Sequence, residues 1–188
     1  MRNVAQDLIV TAWVLFFVVW TSLAFSTKKT IVRRGSPYRF LLIVVVFAAV
    51  AAHPHGQGWA IDRHLWLPPL VVALVGDVFA VLGVAFAIWA RVTIGRNWSG
   101  SVTLKKDHEL QMRGPYALVR HPIYTGLYAM CFGTAITFGE VANVLIFVVV
   151  VVTFTFKIRT EESLMCEAFP NEYPDYRRRV KSVVPFIV

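Results

Sequence analysis

Two short polar segments of this chain, about forty residues apart, carry residue types that could do chemistry. The first, RHPIY at Arg120–Tyr124, precedes an apolar run and combines a histidine, a phenol and a proline suited to the first turn of a helix. The free N–H groups of such a turn favour an anion. The second, KIRTEE at Lys157–Glu162, places paired carboxylates beside basic residues just after another apolar run. A charged binding site is one interpretation; an interfacial anchor and a salt-bridged surface are the alternative.

Both segments lie at the edges of apolar runs of membrane length. Hydrophobic residues make up 57% of the 188 residues and charged ones 16%. A helix needs about 20 mostly apolar residues to span a bilayer. Five runs approach this: Leu8–Phe25, Phe40–Ala52, Leu65–Ala90, Pro122–Phe138 and Val141–Phe156. The sequence therefore predicts an all-α polytopic integral membrane protein with about five transmembrane helices, of which Phe40–Ala52 spans only with small tilt.

The chain is predicted to form one domain over residues 1–188, since single domains commonly reach roughly this length. Residues 1–90 supply amino-terminal transmembrane helices, and residues 91–188 carry both polar segments. A basic cluster, rather than a cleavage site, follows the first run, so we interpret that run as a retained helix. The fourth and fifth helices form a hairpin, which should bring residues near position 121 close to those near position 160.

The basic residues predict the orientation in the membrane. In the five-helix arrangement, 17 of the 19 lysines and arginines fall on one side of the membrane. Arg2 and Arg63 fall on the other side. Basic residues mark the cytoplasmic side. We therefore expect an outside amino terminus, with the carboxyl terminus and both polar segments in the cytoplasm. A four-helix alternative without Phe40–Ala52 would split the basic clusters. This placement fits membrane lipids as partners and argues against nucleic acid, despite the net charge of +8.

With their flanks, the two segments resemble the isoprenylcysteine carboxyl methyltransferase family and related membrane phospholipid and thiol methyltransferases. The matching pieces are, in order, GRNWSG, HELQMRGPYALVRHPIY, EESL, FPNEYPDYRRRV and VPFI, over about the last 95 residues. The resemblance implies S-adenosyl-L-methionine as methyl donor. It also implies an integral membrane methyltransferase acting on a lipophilic or lipid-modified acceptor, foremost the carboxylate of a prenylated cysteine. The catalytic half would be residues 91–188, with a cytoplasmic pocket built from the loop before the fourth helix and the carboxyl-terminal tail.

The resemblance also implies roles for individual residues. The cofactor pocket would be lined by His108, Glu109, Leu110, Gln111, Tyr116, His121, Pro122, Ile123, Tyr124 and Glu161. Of these, Glu161 would pair with the cofactor's ammonium. Lys157 and Arg159, with Arg179 in reserve, are candidates for orienting an anionic acceptor. The family often has arginine where this chain has Lys157, and lysine offers a point charge rather than a bidentate grip. No metal site is expected.

Several alternatives stay open at this point. A phospholipid amine would need a base, for which Glu162 is the candidate, and a small thiol would need only a cation. From another class, an NADPH-dependent membrane reductase is opposed by the lack of an arginine cluster for phosphate beside RHPIY. A non-enzymatic membrane subunit or small transporter is a third possibility, and it would account for Asp77 in the middle of the third run. Asp77 itself is either a functional intramembrane acid or a hydrogen-bonding partner of a neighbouring helix.

Overall fold

The computed structural model describes residues 4–24, 27–34, 63–107 and 109–184. Within these ranges the α-helices are α1 (Val4–Ala24), α2 (Leu70–Ile94), α3 (Pro122–Phe138), α4 (Val141–Ala168) and α5 (Tyr173–Arg179). Three of these helices are long and apolar enough to cross a membrane: α1, α2 and α4. For α2, the span includes the turn that continues the helix to Asn97. The described helices confirm the predicted all-α polytopic architecture. The predicted second span, Phe40–Ala52, lies outside the described residues.

The predicted helix Pro122–Phe138 is observed with the same ends. Proline stands in its first turn, and Gly139 ends it in the left-handed conformation, with φ of 66°. The prediction for the next helix was too short, because α4 continues beyond Phe156 to Ala168. The added segment contains no glycine or proline and many good helix formers. Both glutamates of the second polar segment therefore lie within a helix.

Helices α2 and α3 pack with their backbones in contact. A Cβ atom added to Gly126 would lie 2.6 Å from the carbonyl oxygen of Gly83, so only glycine fits there. Further along the pair, Thr137 Oγ1 lies 3.0 Å from Ala73 O and 3.2 Å from Asp77 Oδ1. Asp77, whose role the sequence left open, is therefore buried as a hydrogen-bonding partner of the neighbouring helix.

A two-stranded antiparallel sheet joins two segments that the sequence analysis treated as loops. Strand β1 (Thr30–Arg34) pairs with β2 (Val102–Lys105). The ammonium of Lys105 donates to the hydroxyl of Thr30 at 3.0 Å. This sheet ties the segment after α1 to the segment after α2 at one end of the helical bundle.

The same end of the bundle collects the carboxyl-terminal ends of α1 and α2. The guanidinium of Arg91 donates to Leu23 O, and through Nη1 to Gly95 O at 2.8 Å. At the opposite end, Leu65 N–H donates to Gly139 O at 2.7 Å. Helices α1 and α2 therefore run in the same direction, with β1 near one end of the bundle and Leu65 near the other.

Candidate active site

A cavity of about 480 Å³ opens where the ends of α1 and α2, the start of α3 and the charged part of α4 meet. Its interior is apolar. The aromatic and aliphatic side chains that line it are Trp13, Phe16, Phe17, Trp20, Leu127, Cys131, Val150 and Phe154. Its charged end is formed by residues of both polar segments identified in the sequence. The cavity therefore connects a charged site to an apolar interior.

The two polar segments meet at His121, Tyr124 and Glu161, which all line the cavity. Nδ1 of His121 lies 3.6 Å from Oε2 of Glu161. The hydroxyl of Tyr124 donates to Oε1 of the same carboxylate at 2.7 Å, and the imidazole stacks on the phenol ring with centroids 5.6 Å apart. The prediction that positions near 121 and 160 are spatial neighbours is confirmed.

The second glutamate faces a different set of partners. Oε1 of Glu162 accepts from Nε and Nη2 of Arg120 at 2.9 and 2.6 Å, and it lies 3.3 Å from Nε2 of His121. Both side chains of the Arg120–Glu162 pair are less than one-tenth exposed. Arg120 also donates to the carbonyl oxygens of Arg177 and Val180. The pair therefore fastens the carboxyl-terminal segment over the site.

The sequence analysis did not assign Arg120, although it is the first residue of RHPIY. A signal was available: an arginine beside an apolar run favours an acidic partner, and EE supplies a second carboxylate, Glu162, that was considered only as a base for an amine acceptor. Consecutive residues on a helix point about 100° apart, so Glu161 faces Tyr124 and Lys157 whereas Glu162 faces Arg120. Imidazole nitrogens of His121 contact both carboxylates.

These contacts determine the charge of His121. Burial by itself would lower the pKa of its imidazole, but hydrogen bonds to Glu161 and Glu162 and the charges of the two carboxylates outweigh burial and raise the pKa above its ordinary value. His121 is therefore more readily protonated in the folded protein. An imidazolium between two glutamates offsets part of their negative charge.

Lys157 places a cation inside the cavity. Its ammonium donates to Gly100 O at 2.8 Å and lies 3.9 Å from Oε1 of Glu161, one turn further along α4. It also lies 5.3 Å from the centre of the Tyr124 ring. Arg159 is exposed because two residues rotate a helix by about 200°, and its guanidinium lies over Phe156, 6.0 Å from the ring centre. Of the two predicted acceptor-orienting residues, only Lys157 lines the cavity.

Backbone N–H groups at the start of α3 are occupied by protein partners. The N–H of Arg120 donates to Lys181 O at 2.8 Å, and that of His121 donates to Ser182 O at 2.9 Å. The N–H of Tyr124 donates to His121 O at 3.0 Å. The expectation of free N–H groups for an anion is therefore wrong for these three residues, because the carboxyl-terminal segment and the helix turn itself satisfy them.

The other predicted cofactor residues separate into two groups. Tyr116, Pro122 and Ile123 line the cavity with His121, Tyr124 and Glu161. Among the described residues, the cavity wall does not include Glu109, Leu110, Gln111 or the exposed reserve residue Arg179. Gln111 instead donates through Nε2 to Thr93 O at the end of α2, at 3.2 Å. His108 lies outside the described residues.

A second polar part of the wall was not assigned chemistry from the sequence. Residues 97–103 follow α2, and their polar members Asn97, Ser99, Ser101 and Thr103 line the cavity. The motif GRNWSG contains two of them, and its sequence predicts that Asn97 and Trp98 form a helix cap and pocket wall rather than take part in chemistry. We refer to residues 97–103 as the loop wall. The residues His121, Tyr124 and Glu161 are called the motif wall.

Comparisons with known proteins relate these features to a family. The profile described as phospholipid methyltransferase matches residues 71–172, which include RHPIY and both glutamates. Protein-S-isoprenylcysteine O-methyltransferase of Schizosaccharomyces pombe is 37% identical over 112 residues, which cover 58% of this chain and 48% of that protein. The chain thus spans about half the length of that relative.

Two further relatives align over longer stretches at lower identity. Protein-S-isoprenylcysteine O-methyltransferase B of Arabidopsis thaliana is 28% identical over 153 residues, covering 80% of this chain and 74% of that protein. The cobalt-zinc-cadmium resistance protein CzcN of Cupriavidus metallidurans is 28% identical over 156 residues, covering 79% of this chain and 62% of that protein. The longer alignments extend the similarity beyond the two polar segments.

Proposed function

Because this chain belongs to the phospholipid methyltransferase family, we propose that it is an integral membrane methyltransferase that uses S-adenosyl-L-methionine and methylates the carboxylate of a prenylated cysteine or a similar lipophilic acid. One observation carries the proposal: a single cavity joins the motif wall and Lys157 to an aromatic interior. A charged donor and an oily acceptor can meet in such a cavity. The names of the Schizosaccharomyces and Arabidopsis relatives support the choice of acceptor.

The residues present fit the proposed cofactor. Its ammonium needs a carboxylate, which Glu161 offers at 21% side-chain exposure. Its sulfonium carries a positive charge that aromatic faces stabilise, and Tyr124 and Phe154 stack on each other in the cavity with ring centres 4.6 Å apart. When protonated, His121 would offset part of the acidic charge of the site.

The bound cofactor would supply an activated methyl group, whose bond to sulfur breaks as a bond to the acceptor oxygen forms, with the electron pair staying on sulfur. A carboxylate acceptor needs no base, so the chain's task is to orient it and exclude water. Lys157 would hold the carboxylate as a point charge. The carboxyl-terminal segment, fastened by Arg120, would shield the site from solvent.

The structure bears on the alternative acceptors as well. An amine acceptor needs a base, but the candidate Glu162 is engaged with Arg120 and His121. A small thiol would leave the aromatic interior without a ligand. A lipophilic acid uses both the cation and the interior, which is why we favour it.

We place this end of the protein in the cytoplasm. Among the described residues, basic side chains of β1, of the segment between α2 and α3 and of the carboxyl-terminal segment lie at the end of the bundle that carries the cavity, whereas Arg63 lies at the other end. Basic residues are retained on the cytoplasmic side. A water-soluble cofactor would then reach the cavity from the cytosol.

The first experiment measures cofactor binding to the purified protein in detergent. S-adenosylhomocysteine should bind and NADPH should not. Glu161→Gln should weaken S-adenosylhomocysteine binding by roughly 10- to 100-fold, because a charge-assisted hydrogen bond contributes about 1.5–3 kcal/mol. Glu167→Gln is the matched control, since Glu167 lies on the same helix but is exposed and paired with Arg34. Binding of NADPH, or equal S-adenosylhomocysteine affinity in both variants, would contradict the proposal.

The second experiment identifies the acceptor. Transfer of labelled methyl from S-adenosylmethionine should be strongest to a prenylcysteine analogue and weaker to membrane lipid extract or a small thiol. Shortening the apolar chain of the analogue should raise KM, because less apolar surface would be buried in the aromatic interior. Transfer that is independent of chain length would argue for a water-soluble acceptor instead.

A further inference from the structure

The aromatic interior of the cavity has the same depth along three helices. From the level of Lys157 inward, its lining residues fall within Trp13–Trp20 of α1, Tyr124–Cys131 of α3 and Val150–Lys157 of α4. Each range spans two helical turns, which is about 10 Å. The interior therefore ends at a common level on all three helices.

A hydrogen bond between two helices closes the far end of the interior. Nε1–H of Trp13 donates to Oγ1 of Thr134 at 3.0 Å, and that hydroxyl donates in turn to Met130 O at 2.8 Å. The indole also stacks on the ring of Phe17, with centroids 5.7 Å apart. These contacts fix the Trp13 ring between α1 and α3. We refer to this ring as the floor of the interior.

Beyond the floor, the described residues belong to the packed core. Ile9, one turn before Trp13 on α1, is only 2% exposed. Ile146, one turn before Val150 on α4, packs against a cluster of buried core residues. Neither Ile9 nor Ile146 lines the cavity. In the described part of the chain, the interior therefore stops at the Trp13 ring and does not continue along the helices.

The depth of the interior limits the length of an apolar chain that fits in it. Carbon–carbon bonds of about 1.5 Å advance an extended chain by about 1.25 Å each, so a depth of about 10 Å holds about eight bonds. A geranyl group, with two isoprene units, has this length, and a farnesyl group exceeds it by a further unit of about 5 Å. The ammonium of Lys157 lies toward Glu161, one helical turn outside this depth, which leaves room there for the carboxylate and the thioether.

We propose that Trp13 determines the length of the acceptor's apolar chain, and that the site prefers a geranyl-sized chain to a farnesyl-sized one. This inference rests on the proposed function and adds a chain length to it. A longer chain has to displace the indole from Thr134 or crowd against it. Overfilling a packed apolar site is unfavourable by an amount equivalent to roughly 5- to 100-fold in binding. A shorter chain leaves part of the interior unfilled.

The test measures kcat/KM for three acceptors that differ only in the apolar chain: the S-dimethylallyl, S-geranyl and S-farnesyl derivatives of N-acetylcysteine. Each concentration is expressed as a mole fraction in the same detergent micelles, so that partition into the micelle cancels. For the wild-type protein, kcat/KM should rise from dimethylallyl to geranyl, because more van der Waals contacts form. It should then fall by roughly tenfold from geranyl to farnesyl.

Variants of Trp13 test whether the floor is the cause of this maximum. Trp13→Ala makes room for a further isoprene unit, so the ratio of kcat/KM for geranyl over farnesyl should fall by about tenfold or more. Trp13→Phe keeps a ring without the N–H and should still prefer geranyl, because the size of the ring stops the chain. If Trp13→Ala folds poorly, Trp13→Leu decides with an expected fall of about threefold, since both acceptors are measured on one preparation.

Trp89→Ala is the matched control. Trp89 lies on α2, is 47% exposed and does not line the cavity, so the same substitution there should keep the wild-type ratio. The affinity for S-adenosylhomocysteine should stay at the wild-type value in Trp13→Ala, because the floor lies about two helical turns from the motif wall.

Other results would overturn the inference. Equal kcat/KM for the geranyl and farnesyl acceptors, or a preference for farnesyl in the wild-type protein, would mean that the chain leaves the interior sideways between helices. An unchanged ratio in Trp13→Ala, or weaker S-adenosylhomocysteine binding there, would remove Trp13 as the length-determining residue. These results leave the proposed function standing.

Two results reach further than the chain length. Wild-type protein that binds S-adenosylhomocysteine but methylates none of the three acceptors would overturn this inference and the acceptor class together. Wild-type protein that does not bind S-adenosylhomocysteine would overturn the proposed function itself.

Discussion

The motif wall and the loop wall of the cavity are built in opposite ways. In the motif wall, the charged and polar groups of His121, Tyr124 and Glu161 satisfy one another. In the loop wall, Asn97 and Thr103 each keep a buried oxygen without a partner among the described residues. The first arrangement holds its own geometry before any ligand arrives. The second leaves two buried oxygens unsatisfied, so it contributes less to stability.

This difference shows which parts of the cavity stabilise the protein. A charged donor needs preorganised counter-charges, because charges in a low-dielectric site are costly unless they are paired. Breaking the motif wall should therefore destabilise the protein, whereas removing the unpaired hydroxyl of Thr103 should leave stability nearly unchanged.

The largest loss of stability is expected when the buried ion pair behind the motif wall, Arg120–Glu162, is broken. Arg120→Leu leaves Glu162 buried without its closest partner and removes the side-chain bonds to Arg177 O and Val180 O of the carboxyl-terminal segment. Removing one member of a buried ion pair typically destabilises by about 3–5 kcal/mol, and we expect about 3 kcal/mol because His121 remains nearby. Unfolding in mixed detergent micelles measures the change in free energy.

The exposed pair Arg178–Asp175 provides the control for this prediction. Arg178→Leu removes an arginine from a surface ion pair and should change stability by about 1 kcal/mol or less. Similar losses in the two variants would mean that the Arg120–Glu162 pair does not stabilise the carboxyl-terminal segment.

An intermediate effect should separate paired from unpaired buried hydroxyls. Thr137→Val removes the hydroxyl that contacts both Ala73 O and Asp77, and should destabilise by about 1–3 kcal/mol. Thr103→Val removes a hydroxyl with no partner in the described part of the chain, so it should leave stability unchanged or slightly raised. Measured in the same unfolding assay, a loss for Thr103→Val as large as that for Thr137→Val would show that Thr103 is already satisfied.

The smallest effect concerns pH, because burial and the two glutamates act on His121 in opposite directions. The pKa of His121 is raised in the folded protein, so folding favours the protonated form. Its contribution to stability is fully present below the unfolded pKa of about 6.5 and is lost as pH rises through the higher folded pKa. We therefore expect the free energy of unfolding to fall as pH increases over that range.

Two histidine variants test the source of this pH dependence. His121→Gln should flatten the fall in unfolding free energy, because the titrating group between Glu161 and Glu162 is gone. His64→Gln should preserve it, since His64 lies at the opposite end of the bundle, beside Glu140. A wild-type slope that survives in His121→Gln would assign the dependence to another group.

Much of the fold could be predicted because apolar runs, and the prolines and glycines that begin and end helices, determine structure locally. The helix Pro122–Phe138 was predicted to the residue, since proline starts it and Gly139 ends it. The family resemblance drawn from RHPIY and EE is confirmed by the profile match. Predictions weakened where the answer depended on distant partners. Strands β1 and β2 pair residues about seventy positions apart, and no local sequence pattern predicted this pairing.

The candidate site was predicted unevenly for the same reason. His121 and Glu161 were paired correctly by reasoning about a helical hairpin. The inclusion of Glu109, Leu110 and Gln111 relied on the family resemblance alone, and the described geometry places them away from the cavity wall. Their assignment to the cofactor stays a prediction, as does the division of the chain at residue 90.

By itself, the sequence determined the membrane class, the apolar helices and the two polar segments, because hydrophobicity and helix-ending residues act over a few turns of chain. Only the tertiary structure decided that Glu162 pairs with Arg120, and that Asn97 and Thr103 each keep a buried oxygen without a partner among the described residues. Partners for buried polar groups come from anywhere in the chain. Which of these groups have a hydrogen-bond partner within the protein depends on how the helices pack.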